Sequence, residues 1–551
     1  MKYYINQRIK VDEKGRGTIK YIGEIQGVSG TWLGVEWDNP SSGKHSGEHN
    51  DLQYFSVRIP NSGSFIKPSK KVHTGTSLFE AIKEKYIERN LTYSEKELPE
   101  NIGKYGKIEA VGFGKITAEK SNLELLQMVG LENGSVYGIE QDEIHKLSKS
   151  LIRLEELDLR ENLIAAWTDA LQIIKSIPTL KSINFGNNKM QFYNSPDFNN
   201  LSLQKYSEIE ILDMSSTGVS WKQVVDICTN NFPNLKSLIL ARNDLKLVDV
   251  DKETVASAFK NLEELNLQAN NIQSSEEISF LGRIQNLKVL NVSENPLDEF
   301  LVKGFDKISD EFQSLRVLQI NDTEINNWMV ISQFEHLQLE ELGIRRTKIT
   351  WPNSVEKIRA HAISRVPSLK KINGVFIDSM ARRDLERLYL SDTRKLYLSL
   401  FSVSNPKIFE FLENHPRFSV LCNILNEPGL SENPGQIANK QINLKSRLLN
   451  INIQIADILE TESETGEPNQ LVNLIPVIGT IKNKAVPTTT MIRQFKSIVS
   501  RLYKIQPTKI EIWRCIEYTN GSKGYINLDA QTRDFEFYDI EDNDTIYVVK
   551  V

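Results

Sequence analysis

The chain has 551 residues, which is too many for one hydrophobic core, so about three domains are expected. Hydrophobic residues make up 40% and charged residues 25% of the chain, which excludes global disorder and a fibrous repeat. The net charge of -5 argues against a chain-wide nucleic-acid surface, yet residues 1–75 carry 11 Lys/Arg against 7 Asp/Glu. We call residues 1–75 the head. A basic head on an otherwise acidic chain favours an acidic ligand at the head.

Targeting signals and metal knuckles are not found in the sequence. The opening residues, MKYYINQRIK, contain no apolar core of a signal peptide, and no apolar stretch approaches the ~20 residues that a bilayer requires. The three cysteines, Cys228, Cys422 and Cys515, lie far apart and fit neither a disulfide framework nor a CxxC site. We therefore expect a cytoplasmic protein that contacts no membrane and no nucleic acid.

Residues 1–75 consist of short strand-like runs separated by glycines, a pattern that predicts a small all-β barrel. Five large rings crowd into this segment, too many for so small a core, so some are expected to line a groove. The turn GKHSG, 43–47, places Lys44, His45 and backbone amides where they can approach one anionic group. The alternative, of about equal weight, is that the rings form the core and Lys44 is a solvated loop charge.

The run from Gly17 to Lys70, with WLGVEWD, GKHSG, YF and GSFIKP, resembles a CAP-Gly domain. Such domains bind the acidic, aromatic-ended tails of tubulin and related proteins. The family loop is usually GKNDG, so His45 and Ser46 replace Asn and Asp here. The resemblance implies that Lys44 and His45 hold the tail carboxylates and that Trp32, Trp37 and Phe65 form the apolar groove. It also implies that Lys67 adds a second cation and that Gly47 and Phe55 belong to the site.

If His45 contacts a tail carboxylate, binding is expected to tighten as the pH falls from about 7.5 to 6, because the imidazolium adds a donor and a charge.

The next segment, 76–107, is interpreted as a linker with one helix near Ser77 to Ile87. A repeat then follows within 108–395. The template LxxLxLxxNxL fits eight segments, beginning at Leu154, Leu180, Ile209, Leu235, Leu262, Leu287, Leu315 and Leu339, and a weaker copy begins at Leu126. Successive copies start 24 to 29 residues apart, which is typical of leucine-rich repeats. Each copy is expected to supply one strand of a curved α/β solenoid that is closed by a cap at 366–390.

Side chains that alternate with the buried leucines of each repeat are expected to face outward on the concave side of the solenoid. They are mostly polar, and a concave polar strand face is by default a protein-binding surface. The alternative for any single residue is that it belongs only to a solvated sheet face. The predicted surface comprises Asp158, Arg160, Asn184, Asp213, Asn266, Asn291, Gln319 and Arg345.

After a helical and polar linker, 396–439, the pattern changes to strands in 440–551. Leu449, Ile451, Ile453 and Ile455 alternate with polar residues, and an acidic insertion near 460–470 follows. Helical spacing in MIRQFKSIVSRL and two later strands complete a sheet-plus-helix unit. This order resembles an α+β ubiquitin-like (β-grasp) domain.

The sequence carries no recognisable catalytic motif. GxxxxGK[ST], GxSxG, a Cys/His nucleophile signature and zinc-ligand spacing are not present in the sequence. We therefore expect a protein that is not an enzyme and that uses no cofactor and no metal.

The order of CAP-Gly domain, leucine-rich repeats and ubiquitin-like domain resembles the cofactor E family of tubulin-folding chaperones. The resemblance implies binding of alpha-tubulin, through both its tail and its body, and action on the folding, assembly and dissociation of the alpha/beta-tubulin dimer. The implied partners include the tubulin-folding cofactors C, D and B, and the implied site of action is the cytoskeleton. The alternative is a CAP-Gly scaffold of the microtubule plus end, although such a scaffold usually carries coiled coil or a basic Ser/Pro-rich stretch beside the head.

Overall fold

The computed structural model describes residues 3–88, 122–191, 204–248, 250–300, 311–349, 354–400, 405–425, 448–459 and 473–550, apart from 488–489, 518–522, 530, 536 and 539. The predicted acidic insertion, residues 89–107 of the first predicted linker and residues 401–404 and 426–439 of the second lie outside these residues. The described chain divides into two compact units, 1–397 with 405–418, and 398–404 with 419–551. Among the described residues, no helix combines the length and the apolar character needed to cross a membrane.

The head is a five-stranded antiparallel sheet with the strand order β6-β3-β2-β1-β7 and a separate β4–β5 hairpin. Leu33, Val35 and Trp37 alternate along β3 and face a core that also contains Ile9 and Ile19. The strands are β1 (Arg8–Val11), β2 (Gly15–Ile25), β3 (Val28–Trp37), β4 (Glu48–His49), β5 (Leu52–Gln53), β6 (Gly63–Ile66) and β7 (Val72–His73).

The helix expected in the linker is part of the folded unit. Strand β8 (Thr76–Ser77) pairs in parallel with β10 (Val136–Gly138), and Ser77 caps helix α1 (Leu78–Lys83). The helix buries Leu78, Ala81 and Ile82. The Tyr86 hydroxyl accepts a hydrogen bond from the Gly130 amide at 3.0 Å, at the edge of the first repeat strand. This segment therefore covers the end of the repeat stack, where an exposed sheet edge would otherwise remain.

Each predicted repeat has a three-residue strand at the same position, and neighbouring strands pair in parallel with matching register. The central residue of each of these strands is a buried Leu or Ile, or Val129 in the first copy. The antiparallel pair β19–β20 ends the sheet. The strands are β9 (Met128–Gly130), β11 (Glu156–Asp158), β12 (Ser182–Asn184), β13 (Ile211–Asp213), β14 (Ser237–Ile239), β15 (Glu264–Asn266), β16 (Val289–Asn291), β17 (Val317–Gln319), β18 (Glu341–Gly343), β19 (Lys371–Ile372) and β20 (Val375–Phe376).

Buried asparagines connect successive repeats. The Asn270 side-chain oxygen accepts from the amides of Asn243 (2.9 Å) and Leu245 (3.1 Å), and its side-chain nitrogen donates to the carbonyls of Leu240 (3.0 Å) and Leu267 (2.8 Å). Each such side chain satisfies backbone groups that the tight turn after a strand leaves unpaired. Asn162, Asn188, Asn243 and Asn295 occupy equivalent positions.

Helices fill the connections between strands and close the far end of the stack. The connecting helices are α2 (Ile144–Ser150), α3 (Trp167–Ser176), α4 (Trp221–Asn231), α5 (Lys252–Ala258), α6 (Ser275–Ser279), α7 (Trp328–Ser332) and α8 (Val355–Arg365). The expected cap is present as β19, β20 and a long helix, α9 (Ser379–Leu400). Two further helices follow, α10 (Asn405–Asn414) and α11 (Phe418–Ile424).

The second unit contains a six-stranded sheet in which β21 and β26 form a parallel central pair. Helix α12 (Ile492–Tyr503) covers one face and buries Ile492, Phe495 and Val499 against it. This arrangement matches the β-grasp order expected from the sequence. The strands are β21 (Leu448–Leu459), β22 (Asn473–Pro476), β23 (Lys482–Pro487), β24 (Ile510–Glu517), β25 (Lys523–Asn527) and β26 (Thr545–Lys550).

Candidate functional site

The candidate site is a groove on the face of β3 that points away from the core of the head. Trp32 and Gly34 lie on that face, because side chains alternate along a strand. Gly34 is paired with Tyr21 on one side and with Phe65 on the other. A Cβ atom at Gly34 would lie 2.5 Å from the ring of Phe55, so the glycine is what allows this ring to pack over the strand.

Phe65 lies at the centre of a ring cluster. Its ring is half-buried, and the Phe55 ring beneath it is 7% exposed. Edge-to-face and tilted contacts of this kind hold aromatic groups in defined orientations. The ring centroids around Phe65 lie at 4.9 Å (His45), 5.4 Å (Phe55), 5.5 Å (Tyr54), 6.2 Å (Tyr21) and 6.4 Å (His49).

The GKHSG loop is fastened to the start of β6. The backbone amides of Lys44 and His45 both donate to the Gly63 carbonyl, at 2.7 and 3.1 Å, and the Gly63 amide donates back to the His45 carbonyl at 2.8 Å. The Ser46 hydroxyl accepts from the Asn61 amide at 3.0 Å. The loop backbone is therefore fixed, while the Lys44 side chain remains exposed to solvent.

Gly47 is required by both its backbone and its surroundings. Its φ of 103° lies in the left-handed region, and an added Cβ atom would lie 1.9 Å from the Phe55 carbonyl oxygen. Its amide donates to Nδ1 of His45 at 3.0 Å. This hydrogen bond requires an unprotonated Nδ1, so it favours the neutral imidazole.

The electrostatic environment acts in the same direction. Burial lowers the pKa of His45 below its ordinary value of 6.5; Glu48 opposes this effect, and the neighbouring His49 and Lys44 add to it. Neutral His45 thus holds the loop near pH 7. This direction opposes the expectation that tail binding tightens between about pH 7.5 and 6 through His45 protonation.

The structure brings most of the predicted head residues together. Lys44 and Lys67 are exposed, and the Lys67 amine lies 5.0 Å from the centroid of the Trp32 ring, a cation–π contact. Trp37 is the exception and corrects the expectation, because its ring is 2% exposed and lies on the core face of β3 with Leu33 and Val35. Trp37 supports the sheet and does not line the groove.

Three groove residues were not assigned from the sequence: Tyr21, His49 and Tyr54. The Tyr54 hydroxyl accepts from the Gln26 amide at 2.9 Å, and the Tyr21 hydroxyl donates to the Glu24 carbonyl at 2.6 Å. Both rings are therefore held in place at the rim. Tyr54 lies in the YF pair that supports the CAP-Gly resemblance, which could have indicated it; Tyr21 becomes evident only from its pairing opposite Gly34.

The predicted concave residues lie on the strand face but are partly engaged by their own backbone. The side-chain oxygens of Asp158, Asn184, Asp213, Asn266 and Asn291 each accept from the amide two residues ahead, at 2.8 to 3.0 Å. Such Asx turns end the strands and occupy one acceptor of each side chain. Gln319 accepts from the Asn321 side chain at 3.0 Å.

The two predicted arginines on this face are also paired. Arg160 contacts Asp158 at 2.8 Å and Glu132 at 3.3 Å, and Arg345 donates to the Asn373 carbonyl.

The head is held against the first repeats by a polar contact. The Arg16 guanidinium donates to the Glu161 carboxylate at 2.8 Å, to the Glu161 carbonyl at 3.0 Å and to the Asn133 side chain at 3.0 Å. The Lys10 amine also donates to Asn133 at 3.2 Å. The contacted residues lie in the turns that follow β9 and β11. The groove is thus attached to the repeat stack by a defined interface.

Behind this contact, Asp38 forms an ion pair with Arg8. Burial alone would raise the pKa of Asp38, but Arg8 holds it below its usual value, with help from Lys189 of the repeats and Arg16. The pKa of Lys189 is lowered by burial, which Asp38 opposes. Charges of the head and the repeats therefore act on one another.

Within the described residues, no group of three or more His, Cys, Asp and Glu side chains is placed to hold a metal ion.

Comparison with known proteins agrees with the geometry of the head. The sequence model of the CAP-Gly domain family matches residues 5–71, so the head is a CAP-Gly domain. Over nearly its whole length, the chain is homologous to proteins called tubulin-specific chaperone E. It is 26% identical to the Bos taurus protein over 555 residues and 27% identical to the Homo sapiens protein over 556 residues, and each alignment covers 99% of this chain and 98% of the relative.

Two solved structures resemble parts of the chain. The Bik1 CAP-Gly domain with the ETF peptide from Bim1 is 33% identical, covers 11% of this chain and 75% of that one, and has a TM-score of 0.11. The carboxy-terminal ubiquitin-like domain of mouse tubulin-specific chaperone E is 20% identical, covers 19% and 88%, and has a TM-score of 0.13.

Proposed function

We propose that this protein is a tubulin-specific chaperone that binds alpha-tubulin and acts on the folding, assembly and dissociation of the alpha/beta-tubulin dimer. One observation carries the proposal: the homology to tubulin-specific chaperone E covers 99% of the chain and extends through the head, the repeats and the second unit. A scaffold that shared only a CAP-Gly head would not produce a match of that extent.

The head groove binds the acidic, aromatic-ended tail of tubulin in this proposal. Phe65, Trp32 and the rims formed by Tyr21 and Tyr54 offer an apolar slot for the terminal ring, and Lys44 and Lys67 offer cations for the carboxylates. Phe55 and Gly47 act indirectly by supporting the ring cluster and the loop. His45 offers its Nε2–H as a neutral donor, because Nδ1 is engaged by the Gly47 amide.

The repeat stack is a leucine-rich-repeat solenoid in this proposal, and its strand face contacts the folded body of tubulin. The head is attached to the first repeats through Arg16, so the groove and the strand face are held together. They can therefore bind the tail and the folded body of the same tubulin molecule, which acts as a bivalent ligand. A second contact made under such tethering proceeds at a high effective concentration, which strengthens overall binding without further contacts. The chaperone acts in the cytoplasm with cofactors C, D and B, and it performs no catalysis of its own.

Calorimetry of the full chain with a tubulin tail peptide tests the groove. Lys44→Ala should weaken binding by ~1.5 to 3 kcal/mol, the scale of a hydrogen bond to a charged group. Lys70→Ala, which removes an exposed cation elsewhere in the head, is the matched control and should leave the affinity unchanged. Equal affinities for wild type and Lys44→Ala would refute the role of the groove.

A further inference from the structure

The second unit carries a concentration of positive charge that the proposed function does not use. Residues 473–510 contain seven Lys/Arg and no Asp or Glu, in a chain whose net charge is -5. Ordinary solvated surfaces intersperse both signs of charge. A single-sign stretch of this length is therefore unusual for a solvated surface.

Three of these cations lie on α12, and a fourth, Lys504, follows its last residue as the C-cap. The helix buries Ile492, Phe495 and Val499. At about 100° per residue, Arg493 and Arg501 lie in a stripe opposite the buried face, and Lys496 lies between that stripe and the buried face. Arg493, Arg501 and Lys504 are exposed, and Lys496 is half-buried.

Two lysines of β23 extend this stripe onto the sheet. Val486 of β23 packs in the core beneath α12, and residues 482, 484 and 486 point to the same face because strand side chains alternate. The Lys482 amine donates to the Leu502 carbonyl at 2.5 Å and lies 4.5 Å from the centroid of the Tyr503 ring, which places it at the end of the helix. We call the six residues Lys482, Lys484, Arg493, Lys496, Arg501 and Lys504 the basic surface.

Nothing in the described part of the unit neutralises this surface. Among its described carboxylates, none lies within 4.0 Å of these six cations, whereas Arg514 is paired with Asp544 at 3.2 Å. Arg493 and Lys496 are three residues apart, so these like charges are neighbours on the helix. Repulsion between these like charges lowers the stability of the free protein, and a bound anionic partner would offset that cost.

Two kinds of polyanion fit this surface poorly. A membrane-surface helix needs a free apolar face, but the apolar face of α12 is buried in the domain core. Single-stranded nucleic acid needs rings on which bases can stack. Tyr503, the aromatic residue of the helix end, is covered by Lys482, and its hydroxyl donates to the Ile453 and Thr480 carbonyls.

An acidic protein segment fits better, since its carboxylates can pair with separated cations. An exposed isoleucine in the turn shortly before Lys482 adds a place for an apolar side chain of the same segment: Ile478 is 97% exposed. We propose that the basic surface of the second unit binds an acidic, partly apolar polypeptide segment of a partner protein, as a site separate from the head groove.

The probe for this site is a fluorescent decaglutamate peptide with an amidated end. It has neither the aromatic residue nor the terminal carboxylate that the head groove would select. Full-length chain is titrated by fluorescence anisotropy, in a Lys44→Ala background so that the head loop contributes little. Binding should weaken as salt rises, because exposed charges are screened.

The decisive variant replaces Arg493, Lys496, Arg501 and Lys504 by Gln, and it should raise the dissociation constant by about tenfold or more. The matched control replaces four exposed lysines of the repeats, Lys149, Lys222, Lys246 and Lys260, by Gln, and it should bind like the parent. The double variant Arg501→Gln/Lys504→Gln should show an intermediate loss, which keeps the test valid if the fourfold variant unfolds.

Equal affinities for the helix variant and its parent would overturn the proposal, and so would an equal loss in the control. Anionic vesicles or a single-stranded oligonucleotide that displaced the peptide more effectively at equal charge would also overturn it, because the surface would then serve a membrane or a nucleic acid.

Discussion

Arg16→Ala should loosen the attachment of the head to the repeats. The side chain makes three hydrogen bonds across the interface, two to Glu161 and one to Asn133. The ionised groups are partly exposed, 19% for Arg16 and 37% for Glu161, so the ion pair itself is discounted for solvent screening. At somewhat under 1 kcal/mol for each contact, the loss is ~2 kcal/mol, or about 30-fold in the equilibrium between attached and detached head.

Lysine labelling can measure this equilibrium. The Lys189 amine donates to the Ser216 carbonyl and lies near charges of the head, with Asp38 the largest electrostatic influence. Its amine is partly buried, so detachment of the head should increase its exposure, and mass spectrometry should find faster labelling of Lys189 in the variant, by at most about 30-fold. Labelling of Lys181, which is exposed in the same repeat, should not change.

Lys70→Ala removes a head cation outside this interface and is the control variant. If Lys189 were labelled at the same rate in wild type, Arg16→Ala and Lys70→Ala, the head would not be held by this contact. The bivalent mode of binding would then lose its structural basis.

Three further outcomes are expected. Burial lowers the pKa of His45 below 6.5, so the contribution of the neutral ring to loop stability is complete above pH 6.5 and is lost as the pH falls through the lower folded-state pKa; tail affinity by calorimetry should therefore not tighten as the pH falls from about 7.5 to 6.5, and a tightening that His45→Asn abolishes would contradict this. Gly47→Ala should abolish tail binding, whereas Gly30→Ala, at a positive φ with open space around it, should cost only ~1 to 2 kcal/mol in the free energy of unfolding of the head. Equal effects of the two variants on tail binding and on head unfolding would refute the steric argument. Asn270→Ala should destabilise the repeats by ~3 kcal/mol in urea unfolding, because it leaves several buried backbone groups unpaired, whereas Asn261→Ala loses one exposed hydrogen bond and should change little.

The repeats could be predicted closely because their signal is periodic. Buried leucines fix the strand positions, and the residue after the first Leu or Ile of the template alternates in charge over the six copies from Leu154 to Leu287. Glu155 pairs with Lys181 at 2.8 Å, and Glu263 pairs with Lys288 at 2.7 Å. Such a ladder follows directly from parallel strands in register, since equivalent residues of successive copies become neighbours.

In the head, it was harder to predict on which face of a strand each side chain lies. Trp32 and Trp37 are five residues apart in one strand, an odd spacing that puts them on opposite faces. The family resemblance grouped both with the groove, whereas strand alternation separates them. The helix α1 was recognised, but the segment after it covers β9 through contacts of Lys85 and Tyr86 with Gly130, which lies more than 40 residues away in the sequence.

Buried polar networks of the far cap were also beyond prediction. Arg365 is 1% exposed, and its guanidinium contacts Nδ1 of His361 at 3.1 Å and Nδ1 of His415 at 3.2 Å. Burial lowers the pKa of His415 to about 3, so its ring stays neutral and can accept these hydrogen bonds. Arg365 and His415 are 50 residues apart, and no local sequence pattern predicts such a pairing.

The proposed chaperone function is tested most directly by size-exclusion analysis of the full chain with native alpha/beta-tubulin dimer, alongside sedimentation with microtubules. The proposal predicts a soluble complex, a change in dimer integrity, and a weaker complex when residues 1–75 are removed. A chain that forms no soluble complex with the dimer but sediments with microtubules, with the head alone binding as well as the full chain, would contradict it and would establish a microtubule scaffold instead.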